Sequence, residues 1–299
     1  MGILDGKAAV VTGSGRGVGR GHVLHLAAAG AKVVVNDIDE SEAQKVVDEV
    51  KSAGGTAVAS GASVDTREGC KSLVDLCVSE FGRIDSMVNN AGNVRDRSFL
   101  KMSEEEFDQV VKVHMYGTFR CAQEAAVVMK EQGDGGSIVN TVSAAHFGNF
   151  GQTNYAGSKG AIASMTYTWA FELARYGIRV NAISPLATTR MSATAKVGGK
   201  DASPKEGNFF DPTANGPFVT YLCSDEANYI TGQCFGTGGE RVEIVEHPKY
   251  GNAIYKDGGW DLESLQKSFK GKFGAFLEPV GLMQTKYHFL ENPVVPKKD

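Results

Sequence analysis

The sequence predicts an α/β fold in which a doubly wound parallel sheet of about seven strands lies between two layers of helices. Short apolar runs rich in valine alternate along the chain with stretches of helical length. The apolar runs are continuous, as in parallel strands that are covered on both faces. A glycine-rich segment joins the first apolar run to the first helical stretch. These three observations predict a three-layer α/β/α architecture.

The predicted elements alternate regularly along the chain. The predicted strands are 8–11, 32–35, 56–60, 84–88, 137–142, 179–183 and 233–235. The predicted helices are 21–29, 41–53, 67–81, 103–129, 155–176 and 261–269. Gly30 is a helix stop signal, and Ser103 followed by three glutamates is an N-cap signal. Ligands bind such sheets beyond the carboxyl ends of the strands.

Two stretches interrupt this alternation. Residues 187–217 are rich in Thr, Ser, Gly, Asn and Pro, and they follow the sixth strand at the ligand-binding edge. We expect them to face the ligand as a lid, with an ordinary surface loop as the alternative. The tail has one helix signal and much irregular sequence. We therefore divide the chain into a main domain at 1–240 and an extension at 241–299 that packs on the core or on a neighbouring subunit.

The composition restricts the class of protein. The formal net charge is −4 and the isoelectric point is near 5.9, so we expect no nucleic-acid partner. No apolar run approaches the ~20 residues that a membrane span requires, and we expect neither a membrane segment nor a signal peptide. The five cysteines include no CxxC pair. They predict reduced, buried thiols, no metal site and a cytoplasmic location.

A glycine-rich loop at 12–19 follows the first strand and opens the first helix. In this position the backbone can approach a pyrophosphate, whose charge the helix N-terminus stabilises. Asp37 stands twenty residues beyond Gly17, where a carboxylate would bond the adenosine ribose hydroxyls and repel a 2′-phosphate. Arg16 would instead favour that phosphate, but Ile38 and no basic residue follows Asp37. The balance predicts NAD as the cofactor, with a solvated loop acid as the alternative role of Asp37.

Tyr155 and Lys159 stand four residues apart at the start of a predicted helix and share one of its faces. A phenol has an ordinary pKa near ~10, and a neighbouring cation together with the positive nicotinamide ring is expected to lower this pKa. Tyr155 would then exchange a proton with a substrate hydroxyl while hydride passes to or from the cofactor. Ser143, just after the fifth strand, would hold the substrate oxygen. A helix that merely carries a Tyr and a Lys is the alternative.

Five motifs occur in order along the chain. They are Thr-Gly-Ser-Gly-Arg-Gly-Val-Gly at 12–19, Asn-Asn-Ala-Gly at 89–92, Ser143, Tyr-Ala-Gly-Ser-Lys at 155–159 and Ile-Arg-Val-Asn-Ala-Ile-Ser-Pro at 178–185. With these motifs the chain resembles the short-chain dehydrogenase/reductase family over about residues 3–240. The resemblance implies a Rossmann-like sheet and NAD(P)-dependent hydride transfer on alcohols and ketones. It also implies a dinucleotide-binding catalytic domain at 1–240, and homodimers or homotetramers built partly from the long helices.

The resemblance also assigns site residues. Asp65 would meet the adenine, Asn90 and Ala91 would line the adenosine side, and Lys159 would also bind the nicotinamide ribose. The expected catalytic residues are Ser143, Tyr155, Lys159 and His114. The expected cofactor-binding residues are Gly13, Arg16, Gly17, Val18, Gly19, Asp37, Asp65, Thr66, Asn90, Ala91, Gly92, Tyr155, Lys159, Pro185 and Thr188.

Three positions depart from the family pattern. His114 stands where most members have Asn, and it either organises a water in the proton relay or is simply a packed helix residue. Ser143 lies twelve residues before Tyr155 where thirteen is usual, so a shifted backbone is expected there. Leu186 replaces the usual Gly after Pro185, which is expected to narrow the nicotinamide side.

The substrate is predicted only as a class. Residues 148–155, residues 184–191 and His114 are similar to the (3R)-hydroxyacyl-CoA dehydrogenase part of peroxisomal multifunctional enzymes and to bacterial hydroxysteroid dehydrogenases. We therefore expect an apolar secondary alcohol or ketone, a CoA thioester or a steroid. The side chains expected to flank it are His146, Phe147, Asn149, Phe150, Met191, Phe209 and Phe210. The tail lysines at 267, 270 and 272 either meet a CoA phosphate or form a solvated basic face.

Two other functions remain alternatives. The altered Asn position and the short Ser–Tyr spacing are compatible with a non-catalytic NAD-binding subunit. Arg16 is compatible with an NADPH-dependent carbonyl reductase of broad specificity. Cofactor binding without turnover would favour the first, and the ratio of cofactor preferences would decide the second.

Overall fold

The computed structural model describes residues 2–188, 196–197, 200–201, 210–277 and 280–281. Its central sheet contains eight strands: β1 Ala8–Val11, β2 Lys32–Asn36, β3 Thr56–Ser60, β4 Ser86–Asn89, β5 Gly136–Thr141, β6 Ile178–Pro185, β9 Cys234–Gly238 and β10 Arg241–Val245. A separate antiparallel pair is formed by β7 Lys196–Val197 and β8 Lys200–Asp201.

The strand order across the main sheet is β10-β9-β6-β5-β4-β1-β2-β3. Every pairing in it is parallel except that of β10 with β9. The order reverses between β1 and β4, so a crevice opens outside the carboxyl ends of these strands. The predicted doubly wound parallel sheet is confirmed, with one strand more than the seven expected.

The additional strand, β10, begins directly after the boundary expected at residue 240. Val242 and Ile244 are largely exposed, and polar residues alternate with them, so this run lacks the continuous apolar pattern of the other strands. Gly238 and Gly239 have φ values of 130° and 58° and turn the chain back onto β9. An antiparallel edge strand needs only this hairpin partner and one covered face.

Eight helices cover the sheet or follow it within the described part of the chain. They are α1 Gly17–Ala28, α2 Glu40–Ser52, α3 Arg67–Phe81, α4 Glu104–Val111, α5 Gly117–Gln132, α6 Thr153–Leu173, α7 Gly216–Cys223 and α8 Leu262–Phe273. A π-helical turn at Lys112–Tyr116 joins α4 to α5, where the sequence predicts one helix at 103–129. The expected N-cap is present, because Ser103 Oγ accepts from Glu106 N at 3.1 Å.

The core lies on both faces of the sheet, because successive strand residues point to opposite sides. Val11, Val33 and Val35 pack with apolar residues of α1, α2 and α7. Val10 and Val34 pack on the other face with residues of α3 and α5. All five side chains are fully buried, and each contributes roughly 1.5–3 kcal/mol of hydrophobic stabilisation. The carboxyl ends of the strands are therefore held in place by two packed layers.

The structure shows the state of the cysteines and was searched for metal-binding groups and membrane-spanning helices within the described residues. All five cysteines are buried free thiols. Within the described ranges, no three His, Cys, Asp or Glu side chains are grouped so as to hold a metal ion. Of the helices that the structure describes, none has the length and apolarity needed to cross a bilayer.

His22 in α1 is expected to make the fold sensitive to acid. Its ring is fully buried, and neither ring nitrogen has a hydrogen-bond partner among the described residues. Burial lowers the pKa of His22 from 6.5 to about 3. The unfolded chain therefore binds a proton that the folded chain does not between these pH values, and stability falls as the pH drops through 6.5.

We expect His22→Leu to raise the free energy of unfolding by about 1–2 kcal/mol at pH 7, because unpaired buried polar atoms are removed. At pH 5 the gain should be about 2 kcal/mol larger. Urea unfolding at both pH values measures the two gains. His247→Gln, at an exposed residue, is the control and should change neither. A gain that is equal at both pH values would contradict the buried neutral state of His22.

Candidate active site

The glycine loop between β1 and α1 is packed against the end of β4. Gly13 and Gly17 have φ values of 60° and 57°, a region that side chains disfavour. A Cβ on Gly13 would lie 2.6 Å from the Cα of Ala91, and one on Gly19 would lie 2.5 Å from Asn90 Nδ2. Glycine is therefore required for the loop to sit this close to its neighbour.

Hydrogen bonds also hold the glycine loop against the residues that follow β4. Asn90 Nδ2 donates to the carbonyl oxygens of Thr12 and Gly13 at 3.0 and 2.8 Å. Thr12 Oγ1 accepts from the backbone N of Asn90 at 3.0 Å and of Ala91 at 3.1 Å. The residues expected on the adenosine side thus tie β1 to β4 at the point where the strand order reverses.

The first turn of α1 faces this crevice with its backbone amides. Arg16 occupies the N-cap position but makes no side-chain cap hydrogen bond. Gly17, Val18 and Gly19 form the first turn, which also contains no acidic residue. A helix N-terminus of this kind suits the charge of a pyrophosphate. The chain therefore fits a dinucleotide at the expected residues.

Acidic side chains surround Arg16 beside the loop. Asp37 follows β2, and its Oδ2 accepts from Gly15 N at 3.1 Å while its Oδ1 accepts from Asp39 N at 3.1 Å. Arg16 Nη2 lies 3.3 Å from Asp39 Oδ2, and Arg16 Nε lies 3.8 Å from Glu42 Oε2. Three carboxylates thus share this corner with the Arg16 guanidinium and with Lys45, whose Nζ lies 2.6 Å from Glu42 Oε1.

Asp65 and Thr66 lie beyond the carboxyl end of β3. Thr66 Oγ1 accepts from Gly69 N at 3.1 Å and caps α3. Asp65 Oδ1 accepts from Ser63 Oγ at 2.5 Å, and the Asp65 carbonyl accepts from Arg120 Nη1 at 2.5 Å. The Thr66 side chain is thus engaged in ending the loop and starting the helix.

Ser143, Tyr155 and Lys159 meet at the carboxyl end of β5. The Ser143 side chain lies beside the Tyr155 hydroxyl and acts to lower the pKa of Tyr155. Lys159 Nζ lies 5.7 Å from the centroid of the Tyr155 ring and donates to Thr141 O at 2.5 Å. Ser143 is the N-cap of a short 3-10 turn, in which its Oγ also accepts from Ala145 N at 3.2 Å. The twelve-residue spacing therefore still brings the serine to the tyrosine.

Burial sets the protonation of this cluster. It lowers the pKa of Lys159 from 10.5 to about 7. It also raises the pKa of Tyr155, against the effect of the Ser143 side chain and together with the negative charge of Asp96. Among the chain's own residues, burial outweighs the effect of Ser143, and the lowering expected from Lys159 together with a nicotinamide ring stays a prediction. Burial disfavours both charged forms, so the phenol stays protonated and the amine loses its charge near neutral pH.

His114 lies in the π-helical turn and packs directly against the cluster. Its ring stands edge-on to Tyr155 with centroids 5.2 Å apart, and its Nε2 lies 2.9 Å from Asn93 N and 2.8 Å from Asn93 O. A Cβ on Gly92 would lie 2.4 Å from His114 Cε1, so glycine makes room for the ring. Burial lowers the pKa of His114 to about 3. The imidazole is therefore a neutral packed group, whose Nδ1 has no partner among the described residues.

The segment after β6 closes the nicotinamide side of the expected site. Beyond Pro185, Leu186 N donates to Thr237 O at 2.7 Å. Thr188 N donates to Phe210 O at 2.8 Å, and Phe210 N donates to Thr188 Oγ1 at 2.9 Å. The Leu186 carbonyl thus occupies the space beside β9, and Thr188 is held beside β6.

The expected substrate-side residues fall in three groups. His146, Phe147, Asn149 and Phe150 follow Ser143, and Phe147 and Phe150 are 39% and 62% exposed. Met191 and Phe209, like most of the expected lid, lie outside the described residues. In the tail, Lys267 Nζ lies 2.5 Å from Glu263 Oε1 on α8. An ion pair of this kind is typical of a solvated helix face.

Sequence reasoning missed the polar contacts on the loop after β4. Gln152 Nε2 donates to Asp96 Oδ1 and Oδ2 at 3.2 and 3.1 Å, and Asn154 Nδ2 donates to the carbonyls of Arg95 and Glu106 at 2.9 Å each. The signal was the charged run that directly follows the Asn-Asn-Ala-Gly motif. Its position at a strand's carboxyl end points to the site.

This fold and site define an oxidoreductase that works with a nicotinamide dinucleotide. A glycine loop opens a helix at the strand-order reversal, and a Ser–Tyr–Lys cluster stands at the end of a nearby strand. A family model described as enoyl-(acyl carrier protein) reductase matches residues 13–239. The chain belongs to the short-chain dehydrogenase/reductase family, whose members use a nicotinamide cofactor.

Known proteins agree with this assignment. A hydroxyacyl-CoA dehydrogenase of Mycobacterium tuberculosis is 37% identical over 284 residues, 90% of this chain and 89% of that protein. The peroxisomal hydratase-dehydrogenase-epimerase of Saccharomyces cerevisiae is 40% identical over 242 residues, which are 79% of this chain but 26% of that longer protein. The resemblance to this branch, predicted from the motifs, is confirmed.

Solved structures agree with the fold. A short chain dehydrogenase from Mycobacterium avium superposes with a TM-score of 0.82 at 39% identity, covering 91% of this chain and 96% of that one. A hydroxysteroid dehydrogenase from Escherichia coli superposes with a TM-score of 0.70 at 32% identity, covering 80% and 97%. The predicted Rossmann-like architecture is therefore confirmed by relatives of both kinds.

Proposed function

We propose that this protein is an NAD-dependent enzyme that interconverts a secondary alcohol and a ketone. The observation that carries the proposal is the meeting of Ser143, Tyr155 and Lys159 at one edge of the sheet, beside the glycine loop's crevice. A bound nicotinamide ring supplies the hydride acceptor or donor. The chain's own task is to hold the substrate oxygen and to move one proton at it.

The three side chains divide this task. Ser143 Oγ holds the substrate oxygen, and the Tyr155 hydroxyl gives or takes its proton. The raised pKa of Tyr155 keeps the phenol protonated, which is the form that donates to a ketone oxygen. In the direction of alcohol oxidation, positive charge near the Tyr155 ring favours the Tyr155 phenolate, which takes the proton from the substrate hydroxyl. Lys159 supplies such a charge when protonated, and His114 supports the ring from its edge.

The substrate class that we propose is apolar next to the reacting carbon, either a 3-hydroxyacyl-CoA or a hydroxysteroid. Phe147 and Phe150 support it, because they stand partly exposed on the segment that follows Ser143. The similarity to a hydroxyacyl-CoA dehydrogenase of Mycobacterium tuberculosis and to a hydroxysteroid dehydrogenase from Escherichia coli supports the same two classes.

NAD rather than NADP is supported by the charges beside the glycine loop. Asp37, Asp39 and Glu42 place three carboxylates near the position expected for the ribose 2′-hydroxyl. Arg16, which motivates the NADPH-dependent alternative, is engaged with Asp39 and Glu42. A 2′-phosphate would meet a net negative charge in this corner.

We expect Asp37→Asn to lower the ratio of kcat/KM with NAD to kcat/KM with NADP by about 10–100-fold, because a repelling charge is removed. Asparagine retains one oxygen that can accept from Gly15 N and loses the second acceptor, which bonds Asp39 N, so thermal unfolding should accompany the assay to show that the variant is folded. Asp48→Asn, on the exposed face of α2, removes the same charge elsewhere and should leave the ratio unchanged. Equal ratios in the wild type and Asp37→Asn would contradict the role of Asp37.

The function itself is tested by NADH formation at 340 nm. The panel contains 3-hydroxyacyl-CoAs, hydroxysteroids and cyclic or aryl secondary alcohols, each with NAD and with NADP. Turnover with NAD on one of the first two classes supports the proposal and selects the class. Higher kcat/KM with NADP favours the broad carbonyl reductase. Cofactor binding without turnover in either direction favours the non-catalytic subunit.

We also propose a cytoplasmic homodimer or homotetramer. Assembly is supported by a groove of about 250 Å³ between α5 and α6, lined by Phe119, Val127, Trp169 and Tyr176 among others. Phe171 on α6 is 88% exposed and adds apolar surface. The buried free cysteines are compatible with a reducing compartment. Light scattering of the purified protein measures the assembly, and a monomer would exclude it.

A further inference from the structure

Asn215 is a fully buried amide at the end of the short turn that precedes α7. Its Nδ2 donates to the carbonyl oxygens of Leu186, at 3.3 Å, and of Pro212, at 3.2 Å. Its Oδ1 accepts from Thr237 Oγ1 at 2.7 Å. Carbonyl oxygens only accept, so they fix which end of the amide faces them. One side chain thus joins β9, the segment after β6 and its own turn.

Leu186 is held through its backbone. Its N donates to Thr237 O at 2.7 Å, and its carbonyl oxygen accepts from Asn215. A Cβ on Gly238 would lie 2.4 Å from that oxygen, so glycine makes room for it beside β9. The place of the Leu186 carbonyl is therefore set by β9 on one side and by the Asn215 amide on the other.

The turn that carries Asn215, Pro212–Asn215, packs directly on α1. A Cβ on Gly21 would lie 2.7 Å from the Cα of Thr213, and one on Gly216 would lie 2.7 Å from Gly21 O. The first turn of α1 is the one that suits the charge of a pyrophosphate. Asn215 therefore ties the segment after β6 to the helix on the pyrophosphate side.

Leu186 also lies at the edge of the sheet where the reacting groups meet. β5 stands between β6 and β4, and Ser143 follows β5. Val142 N donates to Ile183 O at 2.8 Å, so the carboxyl end of β6 lies directly beside the start of the Ser143 segment. Residues at this edge are therefore the ones that a nicotinamide beside Ser143 would meet.

We propose that Asn215 is a positioning residue, which sets the separation between the two halves of the dinucleotide site by holding Leu186 toward the turn that packs on α1. The proposal rests on the proposed nicotinamide-dependent function and deepens it. Asn215 acts through the Leu186 peptide and needs no contact with the cofactor. Without its amide, the Leu186 carbonyl loses a donor, and the segment after β6 loses one of its anchors.

The two halves of the site should respond differently to this loss. The nicotinamide half depends on the segment after β6, so its affinity should fall when Leu186 is less firmly held. The adenosine and pyrophosphate half depends on the glycine loop and on α1, whose contacts to Asn90 and Ala91 do not involve Asn215. A change at Asn215 should therefore weaken binding of the whole cofactor and leave binding of its adenosine half unaffected.

The test compares NADH with ADP-ribose, which contains the adenosine, the pyrophosphate and the second ribose but lacks the nicotinamide. Isothermal titration calorimetry measures both Kd values for the wild type and for Asn215→Leu, whose side chain has a similar shape. In Asn215→Leu the Kd for NADH should rise about tenfold, the effect of about one lost hydrogen bond. The Kd for ADP-ribose should stay within about twofold of wild type. The kcat for alcohol oxidation should fall about 10–100-fold, because the reacting groups are less well aligned.

Asn181 offers a matched control. It is also fully buried, its Nδ2 donates to Ile230 O at 2.9 Å, and its Oδ1 accepts from Gln233 N at 3.0 Å. It lies nearer the amino end of β6, away from Leu186. Asn181→Leu should therefore destabilise the fold and leave the ratio of the Kd for NADH to the Kd for ADP-ribose unchanged.

A second variant covers the case in which thermal unfolding shows that Asn215→Leu is not folded. Thr237→Val removes the hydroxyl that bonds Asn215 Oδ1 and keeps the shape of the side chain. It should raise the ratio of the Kd for NADH to the Kd for ADP-ribose by about threefold, because the amide is less firmly oriented. An unchanged ratio in Thr237→Val would then overturn the proposal.

The outcomes separate the role of Asn215 from the proposed function. Equal rises of both Kd values in Asn215→Leu would show a purely structural role and overturn the proposal, as would an unchanged Kd for NADH. A wild type that binds NADH no more tightly than ADP-ribose would also overturn it. If the wild type binds NADH and shows the expected response at Asn215 but turns over no alcohol, the proposed activity fails and the role of Asn215 is supported. A wild type that binds neither compound contradicts both.

Discussion

Replacing Tyr155 by Phe is expected to lower kcat/KM for alcohol oxidation by about 10²–10⁴-fold, the range that a positioned proton donor or acceptor contributes. The variant keeps the ring that packs edge-on against His114 and loses the hydroxyl that lies beside Ser143. Because the packing is kept, the loss should appear mainly in kcat, and the affinity for NADH, to which Tyr155 is also expected to contribute, should fall much less. Initial rates of NADH formation and a fluorescence titration with NADH measure the two quantities.

The control for this prediction lies on the same helix. Tyr167 is also on α6, but its hydroxyl lies beside the Cys234 thiol and away from Ser143. Tyr167→Phe should therefore leave kcat/KM within about threefold of wild type. If Tyr155→Phe retained more than about a tenth of the wild-type kcat/KM, the phenol would not be the proton carrier.

Replacing Lys159 by Met should abolish most activity and at the same time stabilise the protein without cofactor. Lys159 is 3% exposed, and burial lowers its pKa to about 7. A buried amine that must lose its proton, or keep it at a cost, opposes folding. We expect Lys159→Met to raise the free energy of unfolding by about 3 kcal/mol at pH 7, after allowing for the lost hydrogen bond to Thr141 O.

The stability gained in Lys159→Met is expected to depend on pH. Between pH 7 and 10.5 the unfolded chain binds a proton at Lys159 that the folded chain does not, so wild-type stability rises with pH across this window. The advantage of Lys159→Met should therefore be largest at pH 7 and should shrink toward pH 10. Urea unfolding at pH 7, 8, 9 and 10 measures the trend. Lys71→Met, at an exposed lysine paired with Asp75, is the control and should give no gain.

If the gain in the free energy of unfolding of Lys159→Met did not change with pH, burial would not be lowering the pKa of Lys159. Lost activity together with gained stability is the expected mark of a residue kept for function. Tyr155→Phe, which removes the proton carrier, should leave stability nearly unchanged. Lys159→Met, which removes the buried amine, should increase it.

Most of the sheet and half of the site were predictable because their signals are local. Continuous valine runs mark β1 and β2 to within one residue of the observed bounds. The glycine loop, and Asp37 at the end of the next strand, follow from a spacing within one βαβ unit. Tyr155 and Lys159 share a helix face for the same local reason.

The elements that were missed depend on contacts between distant parts of the chain. β10 is stable as a strand because β9 offers it a hydrogen-bonding edge, whereas its own residues alternate and leave Val242 and Ile244 exposed. The π-helical turn at Lys112–Tyr116 interrupts a pattern that is continuous in the sequence, and it brings His114 against Tyr155. The π-helical turn has no signal within its own residues, whereas β10 has the alternating pattern of a half-exposed strand but not the continuous apolar run of the other strands.

The sequence by itself determined the alternation of strands and helices, the glycine loop, and which side chains are candidates for the reacting centre. Periodicity and spacing act over a few residues, so they need no knowledge of the rest of the fold. Only the tertiary structure decided the charge states of that centre. It leaves Lys159 with a pKa near 7, makes His114 neutral and places Asp96 where it acts on Tyr155. Burial and the field of distant charges depend on what the whole chain brings together in space, and no local pattern carries that information.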